Sequence, residues 1–353
     1  MSVADLLGER FARHGFGDRP ANTPSAAAAL TCGLQAQDLR AGRLGVRSRG
    51  AALTDADVCE AIERRALVRS SLMRATIHLV PAADVRWLTA LLGPVIARSF
   101  ATRWRQLGLT PALLRRARAA LPDALAGGPL SRLEVVDRLA ELGVRIARTG
   151  QAPTHLLLFA TTEGLACRTP DRGREACFAL IDEWLPDAPA GPTGDAALAE
   201  IARRYFAAFS PATAADFSTW SGLPSGRAVE LIREELAPAD VNGRRGYRLG
   251  EVAPQRGLRL LPMFDNYLIG YRDREEFVDQ TVRPSVYVGG IIKPVVLLDG
   301  RVVGIWKLVR AGHSTRVELR PFDKLTGRIR TALEAEAADI SRFLDVPTEL
   351  AVS

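Results

Sequence analysis

The stretch Thr213-Ala-Ala-Asp-Phe-Ser-Thr-Trp-Ser221, the turn Gly222-Leu-Pro224 and the run from Ser225 to Leu236 read as a helix, a tight turn and a second helix. Glycine and proline punctuate the chain there, and a turn this short makes a helix-turn-helix. Residues 247–249 follow as a wing strand, and a helix over 195–209 precedes the pair after a Pro- and Gly-rich break at 185–194. Three helices and a strand is the winged-helix order.

The same order recurs toward the N-terminus. Residues 3–13 form an amphipathic helix, a second lies near 24–32, and a third starts at the acidic cap Asp55 and runs through Val58, Ile62 and Ala66. Residues 70–80 then read as a strand or wing and 82–102 as a long helix. Farther on, 111–121 is helical, Ser131 caps a helix through Leu142, and a helix over 154–164 leads into a strand over 165–169. Beyond Gly257 short β-rich runs take over at 258–263, 286–288, 295–298, 302–309 and 316–319, with Asp299-Gly300 marking a hairpin. An amphipathic helix over 324–343 closes the chain. The expected fold class is α+β: three tandem winged-helix units over 1–105, 106–190 and 191–250, then a small β-barrel or sheet over 251–353 with its terminal helix.

Composition narrows the function. The 353 residues exceed one ordinary domain, and 47% apolar with 25% charged residues is ordinary for a soluble globular protein. Cys32, Cys59, Cys167 and Cys177 form no Cys-x-x-Cys pair and no secreted framework, so they read as reduced, mostly buried side chains. The histidines are equally scattered, and neither a metal nor a cofactor is expected. Charges interrupt the only apolar stretch at the N-terminus, and no later run is long enough to span a bilayer. A cytoplasmic protein without a membrane partner is the expectation. The net charge of +7 favours a polyanionic partner, because neutralising phosphates releases condensed counterions. High-GC coding also replaces lysine by arginine, so part of the surplus needs no partner.

Chemistry enters at Cys32-Gly-Leu-Gln-Ala-Gln-Asp38. Two neutral amides, Gln35 and Gln37, spaced i and i+2 beside an acidic residue suit holding one water against a cationic leaving group. That points to hydrolysis without a metal or a covalent nucleophile. On the residues alone, glutamines that cap a helix end or satisfy loop carbonyls are the commoner case.

The motif does not stand alone. Together with Leu72-Met-Arg-Ala-Thr-Ile-His-Leu-Val80, Gly128-Pro-Leu-Ser131, the 210–223 stretch, Leu261-Pro-Met-Phe-Asp-Asn-Tyr-Leu-Ile-Gly-Tyr-Arg-Asp-Arg274 and Asp299-Gly-Arg-Val-Val-Gly-Ile-Trp306, it resembles the bacterial AlkZ-like DNA glycosylases. The related YcaQ-like repair enzymes carry Gln-x-Asp where that branch carries Gln-x-Gln. The resemblance runs through nearly the whole chain. It implies tandem winged helices and a monofunctional glycosylase that removes bulky cationic alkylpurines, of the N7-alkylguanine type, from double-stranded DNA. It further implies protection of an antibiotic producer from its own alkylating product. A monomer is expected. Two other classes fit winged helices: a transcription regulator, typically a dimer reading spaced half-sites, and an inert protein that shields lesions.

Under the glycosylase reading, alkylation already makes the base a good leaving group, and what remains is a placed water and surroundings that tolerate oxocarbenium character. An amide offers one acceptor and two donors and does not titrate. Gln35 and Gln37 are the expected catalytic pair, and Asp38 is a minor rival base that more simply caps the next turn. In Arg74-Ala-Thr-Ile-His78, strand alternation places Arg74, Thr76 and His78 on one face, for phosphate contact or for support of the glutamines; a histidine bonded inside a domain interface is an equal reading. Asp265, Asn266 and Tyr267 are candidate lesion-pocket residues, although an ion pair of Asp273 with Arg272 or Arg274 is as good a reason for that segment. Arg40, Arg43, Arg47 and Arg49 after the motif, with Lys293, Arg301, Lys307, Arg310, His313 and Arg316 in the C-terminal hairpin, are the expected walls of a basic cleft.

Overall fold

The helix-turn-helix at 213–231 forms for local reasons. Thr213 and Asp216 make a reciprocal capping box, with Asp216 N donating to Thr213 Oγ1 at 3.1 Å and Thr213 N to the Asp216 carboxylate at 2.8 Å. The helix Ala214–Ser221 ends on Gly222 at φ 81°, a left-handed C-cap that glycine tolerates without strain. Pro224 then opens Ser225–Leu231, which stops short of the expected Leu236 because Leu236 already pairs with Leu249 in the antiparallel hairpin Leu236–Val241 and Arg244–Leu249. The wing is thus a full hairpin rather than a single strand.

A computed structural model describes residues 2–324 and 326–352. The chain divides into two compact units, one of residues 1–60 with 199–353 and one of residues 61–198. The fold is mixed α+β.

In the second unit the helices Ala82–Gln106, Pro111–Leu125, Arg132–Glu141 and Ala152–Thr162 enclose a core that includes Trp104, Leu121, Leu139, Leu156 and Phe159. Ser131 caps Arg132–Glu141 through a capping box with Glu134. Its strands run in the order Ile77–Pro81, Leu67–Ser71, Ala166–Arg168, Cys177–Leu180, Leu130–Ser131. Residues 70–80 are therefore not one strand. Leu67–Ser71 and Ile77–Pro81 are joined by a tight Met73–Ala75 turn, with Arg74 at φ 55° and Ala75 at φ 61°.

In the first unit the strands Thr348–Val352, Ser314–Pro321, Arg301–Ala311, Val295–Leu298 and Leu258–Leu261 lie side by side in that order. Asp299 and Gly300, at φ 49° and 82°, turn the Val295–Leu298 strand into Arg301–Ala311 as expected. No barrel closes among the described residues. The last strand, unforeseen in the sequence, adds parallel to Ser314–Pro321, and the helix Gly327–Leu344 packs against both this edge and the opposite one, Leu258–Leu261. The expected start of that helix includes residue 325, which lies outside the described residues. Helix Leu39–Arg47 was also unforeseen, and the helix expected to reach Cys32 ends at Ala29 because Cys32 sits at φ 54°.

Two carboxylates of the last helix hold the motif helix in place. Glu336, 3% exposed, accepts from Arg47 Nη2 at 3.0 Å, Arg19 Nη2 at 2.8 Å and the Leu260 amide at 2.8 Å, while Asp339 accepts from Arg47 Nη1 at 2.7 Å. Arg47 is fully buried. Removing one partner of such a pair leaves an uncompensated internal charge. Glu336→Ala is expected to lower unfolding free energy by about 3–5 kcal/mol, with Glu336→Gln costing clearly less. Urea titration of the whole chain measures both, and equal midpoints for wild type and Glu336→Ala would contradict the account.

Candidate active site around Gln35 and Gln37

The motif is a short bridge between one tight turn and a helix. Cys32 at φ 54° and Gly33 at φ 102° bend the chain into the strand Leu34–Gln35. A non-glycine residue in the left-handed region persists only when its surroundings over-determine it. Ala36 is fully buried against Gly42 of the helix Leu39–Arg47: a Cβ added to Gly42 would stand 2.8 Å from Ala36 Cβ and 3.3 Å from Ala36 Cα. Asp38 caps that helix, its Oδ1 accepting from the Ala41 amide at 2.9 Å. One carboxylate oxygen is thereby occupied.

The two glutamines differ in environment. Gln35 is 7% exposed and its Oε1 is buried with no protein hydrogen-bond partner. An unsatisfied buried acceptor costs free energy, and in a folded protein it calls for a water or a ligand as donor. Gln37 is exposed. Beside the motif lies a hollow of about 140 Å³ lined by Asp38, Arg40, Leu44, Met263, Trp306 and Leu308, among others. Its walls are mostly apolar.

Asp265, Asn266 and Tyr267 are all inside the protein, at 4%, 0% and 0% exposure, and they bind protein groups. Asp265 makes a bidentate pair with the fully buried Arg49, at 2.9 and 3.0 Å, and accepts from Tyr267 N at 3.0 Å. Asn266 Oδ1 accepts from the Gln35 amide at 3.0 Å, and its Nδ2 donates to the Gly33 carbonyl at 2.6 Å and Thr31 Oγ1 at 3.1 Å. Tyr267 donates to the Gly300 carbonyl at 2.8 Å. This turn braces the motif; its side chains do not face a lesion. Asp273 pairs with Arg244, not with Arg272 or Arg274, because the wing hairpin brings Arg244 to it.

The cationic candidates separate into groups. Arg47 and Arg49 are buried in ion pairs and cannot wall a cleft. Arg43 bonds Asp55 at 3.0 Å, Lys307 bonds Glu318 at 2.7 Å and Arg316 meets Glu349 at 3.5 Å. Arg40 and Arg310 are exposed and Lys293 is half-buried. Strand register puts Lys307 and Arg316 on one face of the sheet, and Arg310 on the other with Trp306 and Leu308 of the hollow. Arg301 and His313 are exposed.

Arg74, Thr76 and His78 belong to the other unit, and the shared face expected for them does not form, because Arg74 lies in the turn. Arg74 is exposed, Thr76 Oγ1 donates to the Met73 carbonyl at 3.0 Å, and His78 is fully buried with Nδ1 3.0 Å from the Thr76 carbonyl. Burial pulls the His78 pKa down to about 4, with Arg74 adding to the fall and the Thr76 bond opposing it. His78 is thus neutral near pH 7. Among the described residues no three His, Cys, Asp or Glu side chains gather as a metal site. The sequence reading missed Thr31, Gly42 and the inward role of Arg49. A small residue at Gly42 inside a helix was the one available signal.

A buried amide acceptor with no protein hydrogen-bond partner, Gln35 Oε1, thus stands just after the left-handed turn at Cys32 and Gly33. Residues 28–343 match the family described as DNA glycosylase AlkZ-like, and the chain belongs to that family. It is similar to the interstrand DNA cross-link repair glycosylase of Streptomyces sahachiroi, at 29% identity over 347 residues and 92% of each chain. The solved structure of the Streptomyces sahachiroi DNA glycosylase AlkZ matches over the full length of both chains with a TM-score of 0.86 at 26% identity. The protein is therefore a DNA glycosylase, and the two non-enzymatic readings, a transcription regulator and an inert lesion-shielding protein, fall away.

Buried histidines make stability pH-dependent. His14, fully buried, is likewise held well below its ordinary value, first by burial and then by Arg49 and Arg10. For both groups the unfolded chain takes up the proton first, so their contribution is whole above about pH 6.5 and is lost as pH falls below it, by about 1.4 kcal/mol per unit and group, the loss from His78 running down to about pH 4. Melting temperature is expected to fall between pH 7 and 4.5, and less steeply in His78→Leu. Parallel curves for the two proteins would refute the assignment.

Proposed function

We propose that the enzyme is a monofunctional glycosylase that hydrolyses the N-glycosidic bond of bulky cationic alkylpurines, of the N7-alkylguanine type, in double-stranded DNA. The observation that carries this reading is the buried, unpartnered Gln35 Oε1. A water donating to that oxygen is oriented toward C1′ of the lesion nucleotide. As the C1′–N bond breaks, its electrons neutralise the cationic base, the water oxygen bonds to C1′ and a proton passes to solvent. Gln37, exposed beside it, braces the water or the sugar. Neither amide titrates, and a base that leaves as a neutral species needs no general acid. Asp38 remains a secondary candidate for stabilising the oxocarbenium ion through its second oxygen. The adjoining apolar hollow offers room for part of a bulky substituent.

DNA contact is assigned to exposed Arg40, Arg74 and Arg310 and to Lys293, with Arg43, Lys307 and Arg316 exchanging their carboxylates for phosphates; Thr76 supports the turn that carries Arg74. The scaffold for this is three winged helices over 1–105, 106–190 and 191–250, a reading supported by three successive helix groups each followed by an antiparallel strand pair. We place the enzyme as a monomer in the cytoplasm, at the nucleoid when bound to DNA. Self-resistance to a genotoxic natural product is its proposed role, and the cross-link repair named for the Streptomyces sahachiroi relative makes interstrand cross-links a substrate to assay.

Gln35→Ala and Gln37→Ala are expected to fold and to lose most base excision, and the double variant to be little worse than the worse single, since groups acting as a unit are not additive. Single-turnover release of an N7-alkylguanine tests this; wild-type rates in both singles would sink the assignment.

Dependence on a pre-charged leaving group is the second consequence. N7-alkylguanine DNA should be processed, and uracil DNA at the same pH should not, because the proposed amide mechanism supplies no general acid to protonate a neutral base. Comparable excision of both would mean that a general acid acts here and that the amide mechanism is wrong.

A further inference from the structure

We propose that Asn266 is a positioning residue for the glycosylase reaction, holding Gln35 at the height and angle its water requires; this rests on the water-holding role proposed for Gln35. Four observations within one unit carry the inference. The chain bends through two consecutive left-handed residues, Cys32 and Gly33, just before Gln35. Asn266, with no exposure, closes that bend from both ends: its Oδ1 accepts from the Gln35 backbone N–H, and its Nδ2 donates to the Gly33 carbonyl at 2.6 Å and to Thr31 Oγ1 at 3.1 Å. Thr31 Oγ1 also donates to the Gly33 carbonyl at 3.2 Å, so hydroxyl and amide grip the same oxygen. Finally, Asn266 is itself fixed, since Asp265 before it is locked to Arg49 and caps the short helix Asn266–Ile269.

The chemistry asked of this side chain is particular. It must accept from an N–H on one side and donate to a carbonyl on the other, from one planar group. Only a carboxamide does so at every pH; a carboxylate of the same shape presents an acceptor toward the Gly33 carbonyl, and a protonated carboxylic acid restores the donor. Asn266→Asp is therefore a switchable mimic. Two titratable side chains beside it keep one protonation state over the range needed: His14, against Tyr267, is neutral by burial, and burial keeps the Tyr267 phenol protonated.

The experiment is single-turnover release of N7-methylguanine from duplex DNA by the full-length enzyme between pH 5.5 and 8.5, above the uncatalysed background. Asn266→Ala should slow excision on the order of 10²-fold, the penalty of an ångström-scale misplacement, while affinity for the same DNA by fluorescence anisotropy changes less than about threefold. For Asn266→Asp the rate relative to wild type should match the alanine variant at pH 8.5 and rise at least tenfold by pH 5.5. A purely structural role predicts a ratio that is flat with pH, or that worsens toward acid along with melting temperature, and either result overturns the proposal. Should Asn266→Ala not fold, the shape-conserving aspartate variant decides alone, and failure of both to fold at any pH would mark Asn266 as a folding residue and equally overturn it. Gln35→Ala measured alongside separates the two claims: a wild-type rate there removes the water-holding reading, whereas a lost rate with a pH-flat Asn266→Asp ratio removes only the positioning.

Discussion

The bidentate pair of Arg49 with Asp265, both without exposure, is the constraint on which the motif's geometry depends. Each charge alone in that interior would be prohibitive, and the pair together stabilises little relative to an apolar replacement of similar shape. What it supplies is direction. Phe264, at φ 57°, and the helix cap at Asp265 fix where the Asn266 carboxamide points, and the carboxamide fixes Thr31 to Gln35. On the far side of the motif the contact is steric, Ala36 against Gly42. Gln35, at the end of the two-residue strand Leu34–Gln35, is held between a polar clamp and a packed surface, and these fix the segment where regular secondary structure is too short to do so.

The arginine surplus therefore has two meanings in one composition. Arg10, Arg47 and Arg49 are nearly or wholly buried. Arg10 donates to the Pro211 carbonyl at 2.8 and 3.1 Å and lies 3.9 Å over the Tyr271 ring, so the N-terminal helix is fastened to the start of the helix-turn-helix. A planar, always-charged fork that tolerates weak hydration suits such internal joints better than an ammonium. The exposed remainder carries whatever field DNA meets. A count of arginines taken from sequence weighs the two populations alike, and so overstates the number of cations available to phosphates.

This explains what was legible and what was not. Caps and breakers were: Thr213, Ser131 and Asp38 each start a helix with their own side chain, and Gly222 and Asp299-Gly300 each turn the chain where a left-handed residue is needed. These signals are local, resting on a few consecutive residues. The motif and its kinship were legible because their residues are contiguous. Long-range pairing was not. Nothing in the run 40–49 says that Arg47 will meet a helix almost 300 positions later while Arg40 faces solvent, and the apolar periodicity of so short a helix is easily lost among its charges. Of the barrel or sheet expected at the C-terminus, the sheet is what forms, since β-rich runs specify strands but not whether the edges meet, and the final parallel strand had no turn signal to announce it. Alternation misled over 74–78 because a tight turn, not a strand, occupies the first of those residues.

Neutrality runs through the whole arrangement. The motif has two amides, its clamp is an amide, and His14, packed against Tyr267 in the same unit, is uncharged near neutral pH. A titrating base at Gln35 would place a second charge in a poorly solvated position whose occupancy changes with pH, and its field would reach the bracing carbonyls as well as the water. An amide keeps the same donors and acceptors in substrate, transition state and product, so its orientation energy is set once, by folding. The cost is weak general-base power. Under the proposed mechanism that cost is acceptable only where the leaving group carries its own activation, and such a site would discriminate by the charge already on the base before shape had any part in it.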